Sequence, residues 1–356
     1  MTLYITGLKP GALTKIVTAL GEPGYRAQQV ENWVYKQFAL SYGEMANLSR
    51  SFREKLAAQV DILPLTAAQT VVSRDGTVKS LFRLPDGKTI ESALMLYSPG
   101  AGRSRTTVCL STQVGCPVGC SFCATGQQGY ERNLTAGEMI GQVVWWQRYL
   151  QDHPQSRAGG AAHITNIVFM GMGEPFLNYD AVWQAIETIN SPAALGIGAR
   201  NITISTSGLV PEILRLAQEK LQVGLAISLH APDNATRDKL VPINRKYPLE
   251  KLMPAVREYL LRSGRRVSFE YLTLKGINDM PSQARQLAML LQGMNCHVNL
   301  IPANPAGKRD FMPSTPAAIK LFQETLTAAG IPCTVRQSKG ADINAGCGQL
   351  KSRFLQ

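Results

Sequence analysis

Three cysteines, Cys116, Cys120 and Cys123, stand in a C-x3-C-x2-C array within CLSTQVGCPVGCSFCATGQQG, residues 109–129. Gly115 and Gly119 let the backbone curl between them, so that three sulfurs can converge on one centre. Three thiolates are one short of the four ligands that close a structural zinc site. A cubane iron–sulfur cluster held by three cysteines, by contrast, keeps one iron open to a substrate. Cys109, upstream of the array, would supply a fourth sulfur if the site were instead a zinc or fully ligated cluster site. An open coordination position is the feature the rest of the chain must serve.

At 356 residues the chain suits one large α/β domain with an appendage better than a string of small modules. Its 45% apolar and 17% charged residues exclude a disordered chain. The formal charge of +12 favours a polyanionic partner, because a basic surface releases the counterions held by phosphates; a basic protein without such a partner is the plain alternative. Seven cysteines, three of them in a metal-type array, do not make a secreted disulfide framework. The opening MTLYITGLKPGALTKIVTAL lacks the basic and long apolar regions of a signal peptide, and no run approaches the roughly 20 apolar residues of a membrane span. A cytoplasmic protein without membrane contact is the expectation.

Residues 1–62 read as a helical module, with apolar positions at helical spacing in ALTKIVTAL, RAQQVENWVYKQF and SFREKLAAQV. Lys15, Arg26, Lys36, Arg50, Arg53 and Lys55 make it basic, which suits an RNA clamp or a solvated face. From 63 to 106 the pattern changes to short alternating runs, with Asp75-Gly76 and Asp86-Gly87 as hairpin signals, and predicts a small β linker sheet. Strands then alternate with helices through residue 340: strands at 107–111, 164–170, 201–205, 224–228, 267–272, 297–301 and 333–336, amphipathic segments such as 136–150 and 249–261. Repeated β-then-α order argues for parallel strands with right-handed crossovers, hence a full or partial barrel whose chemistry collects at the C-terminal strand ends. A last segment, 341–356, carries Cys347 between Gly346 and Gly348, as if presented from a loop.

Each remaining motif follows a strand. GMGEP, residues 171–175, offers the Glu174 carboxylate to an ammonium group from a glycine-rich turn; STSG (205–208) and SLHAP (228–232) offer hydroxyls and the His230 imidazole. Cys296 and Cys333 lie in apolar strand-like runs and read as core residues.

The C-x3-C-x2-C spacing resembles the signature of the radical S-adenosylmethionine (SAM) enzymes. With FMGMGEPFLN, STSGLVP, ISLHAPDNATRDKLVPINRKYP, LIPANP and NAGCGQL, it makes nearly the whole chain similar to the RlmN/Cfr family of radical-SAM RNA adenine methyltransferases. Val114, the run Pro175-Phe176-Leu177-Asn178 and Ser207 resemble the RlmN branch, which methylates adenine C2, rather than the Cfr branch, which methylates C8. The fold implied is α/β, a partial (β/α)6-type TIM-like barrel with a small helical N-terminal domain and a short β linker. Implied cofactors are a [4Fe-4S] cluster on Cys116, Cys120 and Cys123, and SAM, contacted by Gly173, Glu174, Ser205, Ser228, Leu229, His230 and Asn304.

The chemistry the resemblance implies answers a difficulty: an aromatic C2 carbon is no nucleophile toward a sulfonium methyl. Cys347 takes a methyl from one SAM; a second SAM yields a 5′-deoxyadenosyl radical that removes hydrogen from the methylated sulfur, and the resulting carbon radical adds to adenine. The covalent protein–RNA adduct splits one hard step into easier ones. Cys109 then attacks the Cys347 sulfur and leaves a disulfide, while Cys109 or Glu91 accepts the C2 proton. Implied partners are 23S rRNA, tRNA and an electron donor such as flavodoxin, for a monomeric enzyme whose target adenine is extruded from structured RNA. Ala303 stands where the family has an aromatic, the loop GKRDFMPST is short, and Asn344 and Gly346 replace an acidic residue and an alanine; these departures bear on substrate range. A zinc-stabilised, non-catalytic RNA-binding protein is the alternative of another class.

Overall fold

A computed structural model describes residues 3–97, 104–154, 163–304 and 311–350. The N-terminal module comprises β1 (Leu3–Tyr4), α1 (Ala12–Ala19), α2 (Tyr25–Tyr35), α3 (Arg50–Ala57) and β2 (Val60–Asp61), β2 pairing in parallel with β1. Its helices are the three amphipathic stretches, each burying one face: Leu13 and Val17, Val30 and Val34, Phe52 and Leu56. The β1–β2 clasp has no sequence signature, since two residues cannot carry a period.

Three antiparallel strands follow, β3 (Thr66–Val72), β4 (Val78–Arg83) and β5 (Thr89–Tyr97). They turn at Asp75-Gly76 and Asp86-Gly87, where the glycines hold φ of 82° and 80°. Next come β6 (Arg105–Cys109), β7 (Gln113–Gly115), α4 (Ala124–Gln127), β8 (Tyr130–Asn133), α5 (Ala136–Asp152) and β9 (Asn166–Phe169). The chain then runs through α6 (Tyr179–Asn190), β10 (Ile202–Thr206), α7 (Val210–Leu216), β11 (Gly224–Ser228), α8 (Asn234–Leu240) and α9 (Leu249–Ser263). It ends with β12 (Val267–Thr273), α10 (Pro281–Leu291), β13 (Cys296–Pro302), α11 (Pro316–Ala328) and β14 (Cys333–Val335).

Strands β6 and β9 to β14 are parallel and neighbours in chain order, each joined to the next by a helical crossover, which makes a partial (β/α)6 barrel. The expected separate linker sheet is corrected here. β5 pairs with β6, so β3, β4 and β5 extend the barrel into one ten-stranded sheet. Five consecutive residues of β4, Val78 to Phe82, are buried on both faces. On one face the Phe82 ring meets Trp145 of α5 edge-on at 4.9 Å; on the other, Lys79 is buried although its type reads as solvent-facing.

α5 starts with a capping box, Thr135 Oγ1 accepting from Glu138 N (3.2 Å) and Glu138 Oε2 accepting from Thr135 N (2.8 Å). The helical module packs along α5: Thr6 Oγ1 donates to the Gly137 carbonyl at its N-terminus (3.1 Å) and Glu44 pairs with Arg148 near its C-terminal end, while Lys36 Nζ donates to the Pro192 carbonyl after α6 (2.6 Å). A Cβ on Gly137 would lie 2.7 Å from Gly7 Cα, so backbone packs directly on backbone. Gly137→Ala gains ~1 kcal/mol of helix propensity, but the overpacking costs about 1–3 kcal/mol. The variant is therefore expected to be less stable than wild type in urea unfolding; a rise in midpoint would refute the close seating.

Candidate active site

The cluster loop is held by the β7–β8 hairpin. Gly115 has φ 76°, a Cβ there would lie 2.1 Å from the Gly129 carbonyl oxygen, and Cys116 N donates to that same oxygen at 2.7 Å. Cys123 N donates to the Cys120 carbonyl (3.1 Å), closing a tight turn between two of the sulfurs. Cys116, Cys120 and Cys123 all line one chamber at the C-terminal strand ends, with ≈ 1080 Å³ of open space including its mouth.

Burial pushes the Cys116 thiol up to about 12 and raises Cys120 as well, with the charge of neighbouring cysteines adding to Cys120. Three thiols on the wall of one chamber suit a positively charged inorganic centre, which would take them as thiolates. Among the described residues, no group of three His, Cys, Asp or Glu side chains is drawn together tightly enough for a single metal ion. The donors stand around the chamber, and the donor set of soft thiolates suits an iron–sulfur cluster, which is wider than one ion.

Opposite the sulfurs lie Gly171, Gly173, Glu174, Ser205, Ser228, His230 and Asn304. Gly173 holds φ 104°, and a Cβ there would lie 2.7 Å from Thr112 Oγ1, so only glycine lets this turn approach. The Glu174 carboxylate is fixed from both sides, Oε2 accepting from Ser207 N and Oγ (each 2.7 Å) and Oε1 from Phe176 N (3.2 Å). Burial nonetheless raises its pKa, so an ammonium group entering the chamber would favour its anionic form. Among the described residues Asn304 Nδ2 is buried with no hydrogen-bond partner, a donor available to a ligand. Leu229 does not line the chamber; its side chain is buried, and its carbonyl accepts from Arg237 Nε at 3.1 Å.

His230 holds φ 59° and packs its ring edge-on against Phe122 at 4.8 Å. Its Nδ1 accepts from Leu272 N (3.0 Å), which leaves the proton on Nε2, and burial drops its pKa to about 3.

A second chamber lies alongside, lined by Met95, Tyr97, Cys109 and Cys123 among others. Cys347, Cys123, Met170, Gly171, Ile301, Arg336 and Gly348 belong to the walls of both. Cys347 is thus on the partition, in a residue that is exposed overall. Cys109 lines only the second chamber, apart from the side occupied by Cys116 and Cys120. All seven cysteines are free thiols, so the disulfide expected between Cys109 and Cys347 is not formed in this structure. Cys296 is buried in the core, and Cys333 is half-buried on β14.

Glu91 lines neither chamber. It is buried one layer away, paired with Lys79 Nζ at 3.0 Å. Arg336 and Glu270, joined at 3.5 Å, reach the chamber wall without having stood out in the sequence, because neither lies in a glycine-rich or cysteine motif. Arg336 is held fully cationic by the neighbouring Cys347 and by Glu270.

Family comparisons agree with this geometry. Residues 110–287 match the Radical SAM superfamily, and residues 4–62 match the ribosomal RNA large subunit methyltransferase N-terminal domain. A protein of Moorella thermoacetica named a probable dual-specificity RNA methyltransferase RlmN is 47% identical, over 98% of this chain and 96% of its own length. One of Chloroflexus aurantiacus with the same name is 46% identical, over 96% of this chain and 90% of its own length. The chain belongs to the RlmN family of radical SAM methyltransferases. It is an enzyme, and its fold matches the crystal structure of a radical SAM methyltransferase from Sphaerobacter thermophilus with TM-score 0.93 at 47% identity, over 99% of this chain and 100% of that one. Among the described residues no helix is long and apolar enough to cross a membrane.

The depressed pKa of His230 has a consequence for stability. An unfolded histidine takes up a proton below about 6.5, whereas the folded ring resists it down to about 3. Stability from this group is therefore full above pH 6.5 and lost progressively toward pH 3, with a slope of roughly 1 kcal/mol per pH unit. His230→Asn, a residue that tolerates positive φ, should show a shallower decline between pH 6 and 4 in urea unfolding of the apoprotein; an unchanged slope would place the effect elsewhere.

Proposed function

We propose that this enzyme methylates C2 of adenine in 23S rRNA and in tRNA, with Cys347 as methyl carrier and Cys109 as resolving thiol. The observation that carries this is the position of Cys347 on the partition between the chamber of the three cluster cysteines and the chamber of Cys109. Cys116, Cys120 and Cys123 would hold the [4Fe-4S] cluster, which, when bound, supplies the electron that cleaves SAM reductively. Gly173, Glu174, Ser205, Ser228, Leu229, His230 and Asn304 would hold SAM: Glu174 takes its ammonium group, the hydroxyls and Asn304 take polar oxygens, and Leu229 acts through its backbone.

The Cys347 sulfur first takes a methyl cation from SAM, losing its proton and releasing S-adenosylhomocysteine. The S-methyl carbon then gives up a hydrogen atom, which would go to the 5′-deoxyadenosyl group of the cleaved SAM, and bonds to adenine C2, joining protein to RNA; the adduct loses the C2 proton to a base, and its odd electron would return to the cluster. Attack of the Cys109 thiolate on the Cys347 sulfur breaks the S–C bond and forms S–S, and the carbon released with the bonding pair takes a proton to complete the methyl group. Cys109 faces that chamber, and Glu91 stands behind it. The helical module, residues 1–62, grips the RNA, residues 63–106 brace the barrel of 107–340, and 341–356 delivers the carrier sulfur. A cytoplasmic monomer fed by a flavodoxin-type donor fits this scheme. A zinc-stabilised binding protein would need Cys109 beside Cys116 and Cys120, and Cys109 lines the other chamber.

Expressing the chain in cells lacking their own enzyme should restore 2-methyladenosine, located by mass mapping of 23S rRNA and tRNA. Cys347→Ala should abolish methylation without any adduct, whereas Cys109→Ala should accumulate a covalent protein–RNA species. The appearance of 8-methyladenosine would move the target to C8, and equal activity of both variants would overturn the two-cysteine scheme.

A further inference from the structure

The segment that delivers Cys347 has little regular structure of its own, only a three-residue 3-10 turn at Ala341–Ile343. Its position is set from outside. On one side the cluster loop holds it: Ala124 N donates to the Gly348 carbonyl (2.8 Å) and Thr125 Oγ1 to the Leu350 carbonyl (2.6 Å).

On the other side the β3–β4 hairpin does so. Asp75 Oδ2 accepts from Gly340 N (3.0 Å), and Asp342 accepts from Ser73 Oγ (2.5 Å) and Arg74 N (3.1 Å). Gly340 presses so close that a Cβ would lie 2.8 Å from Thr77 Cγ2.

The deepest of these anchors is Lys79, on β4. Its side chain is 4% exposed, its ammonium pairs with Glu91 at 3.0 Å, and Nζ also donates to the Asn344 carbonyl at 3.3 Å. Asn344 lies three residues before Cys347 and holds φ 52°, a left-handed conformation that turns its peptide away from an ordinary extended path. A buried ion pair is a weak source of stability, and an apolar pair of similar volume often serves as well. Here the cation has a second partner, and an ammonium, with three donors, can serve a carboxylate and a carbonyl at once.

We propose that Lys79 is a positioning residue for Cys347: with Glu91 as its buried counter-ion, its ammonium fixes the Asn344 carbonyl and so keeps the carrier sulfur on the partition between the two chambers. Glu91 then acts on the reaction through Lys79. This role rests on the reading of Cys347 as methyl carrier, and a test with two readouts separates them.

Wild type, Lys79→Met and the double variant Lys79→Met/Glu91→Gln are reconstituted with the cluster and a reductant, and given SAM without RNA. Methyl on Cys347 is timed by peptide mass, amide hydrogen exchange is followed over residues 340–346, and thermal unfolding is recorded. Because no RNA is present, loss of the C2 proton does not enter. Lys79→Met strands a buried carboxylate and is expected to unfold at lower temperature; the double variant removes that charge and recovers most of the midpoint. Both should lose exchange protection over 340–346 and methylate Cys347 about 100-fold more slowly, the scale on which misplacement by an ångström acts. Wild-type protection and methylation rate in the double variant would overturn the proposal, leaving Lys79 as charge compensation for Glu91. Should wild type itself acquire no methyl on Cys347, the carrier reading fails; protection lost in the double variant would still uphold Lys79 as the anchor of this loop, and protection retained would reject it.

Discussion

Gathering three half-buried thiols in a barrel mouth is costly, and much of the surrounding architecture answers that cost. A thiolate in a desolvated wall is unfavourable without a cation nearby. Arg237 supplies one from beneath. It is fully buried, donates to the carbonyls of Leu229 (Nε, 3.1 Å) and of Ser207 and Ser228 (Nη2, 2.5 and 3.3 Å), and meets Asn244 Oδ1 at 2.6 Å. Burial lowers its pKa only to about 10, with the charge of Cys120 opposing the fall, so it stays charged near neutrality. One guanidinium therefore ties together the ends of β10 and β11 and places a positive charge near Cys120, where it works against the burial of that thiol.

The parallel core was legible because its strands are short apolar runs punctuated by glycine motifs, and those motifs fall at strand ends where glycine lets backbone approach a ligand. Gly171 and Gly173 illustrate this: a Cβ on either would lie within 2.6 or 2.7 Å of β6-side atoms, Leu110 O and Thr112 Oγ1. The antiparallel extension was legible as strands and misread as a sheet. Lys79 reads as a solvent-facing residue of an alternating strand, yet it is buried by partners from elsewhere. Local periodicity reports whether a residue type is polar, not whether a distant segment will cover it.

The same limit explains which site residues escaped notice. Lys79 meets Asn344 across 265 residues of sequence, Ser73 meets Asp342 across 269, and Arg336 meets Glu270 across 66. A lone cation or carboxylate has no local pattern that announces such pairing. The cysteines were visible because their chemistry depends on close spacing or flanking glycines. Their mutual placement was not, since the partition between the chambers is assembled from the ends of β9, β13 and β14, the cluster loop and the C-terminal segment together.

That partition also orders the reactivity of the two sulfurs under the proposed chemistry. Burial holds the Cys109 thiol up to about 12, and the charge of Cys347 pushes in the same direction. Burial raises the Cys347 thiol too, with the Arg336 cation opposing it. Burial is the largest restraint on Cys109 and is unchanged when Cys347 carries a methyl group, so under the proposed scheme Cys109 stays quiet until a base or the opening adduct relieves it. A resolving thiol that ionised first would compete for the methyl or close the disulfide early; its burial guards against both.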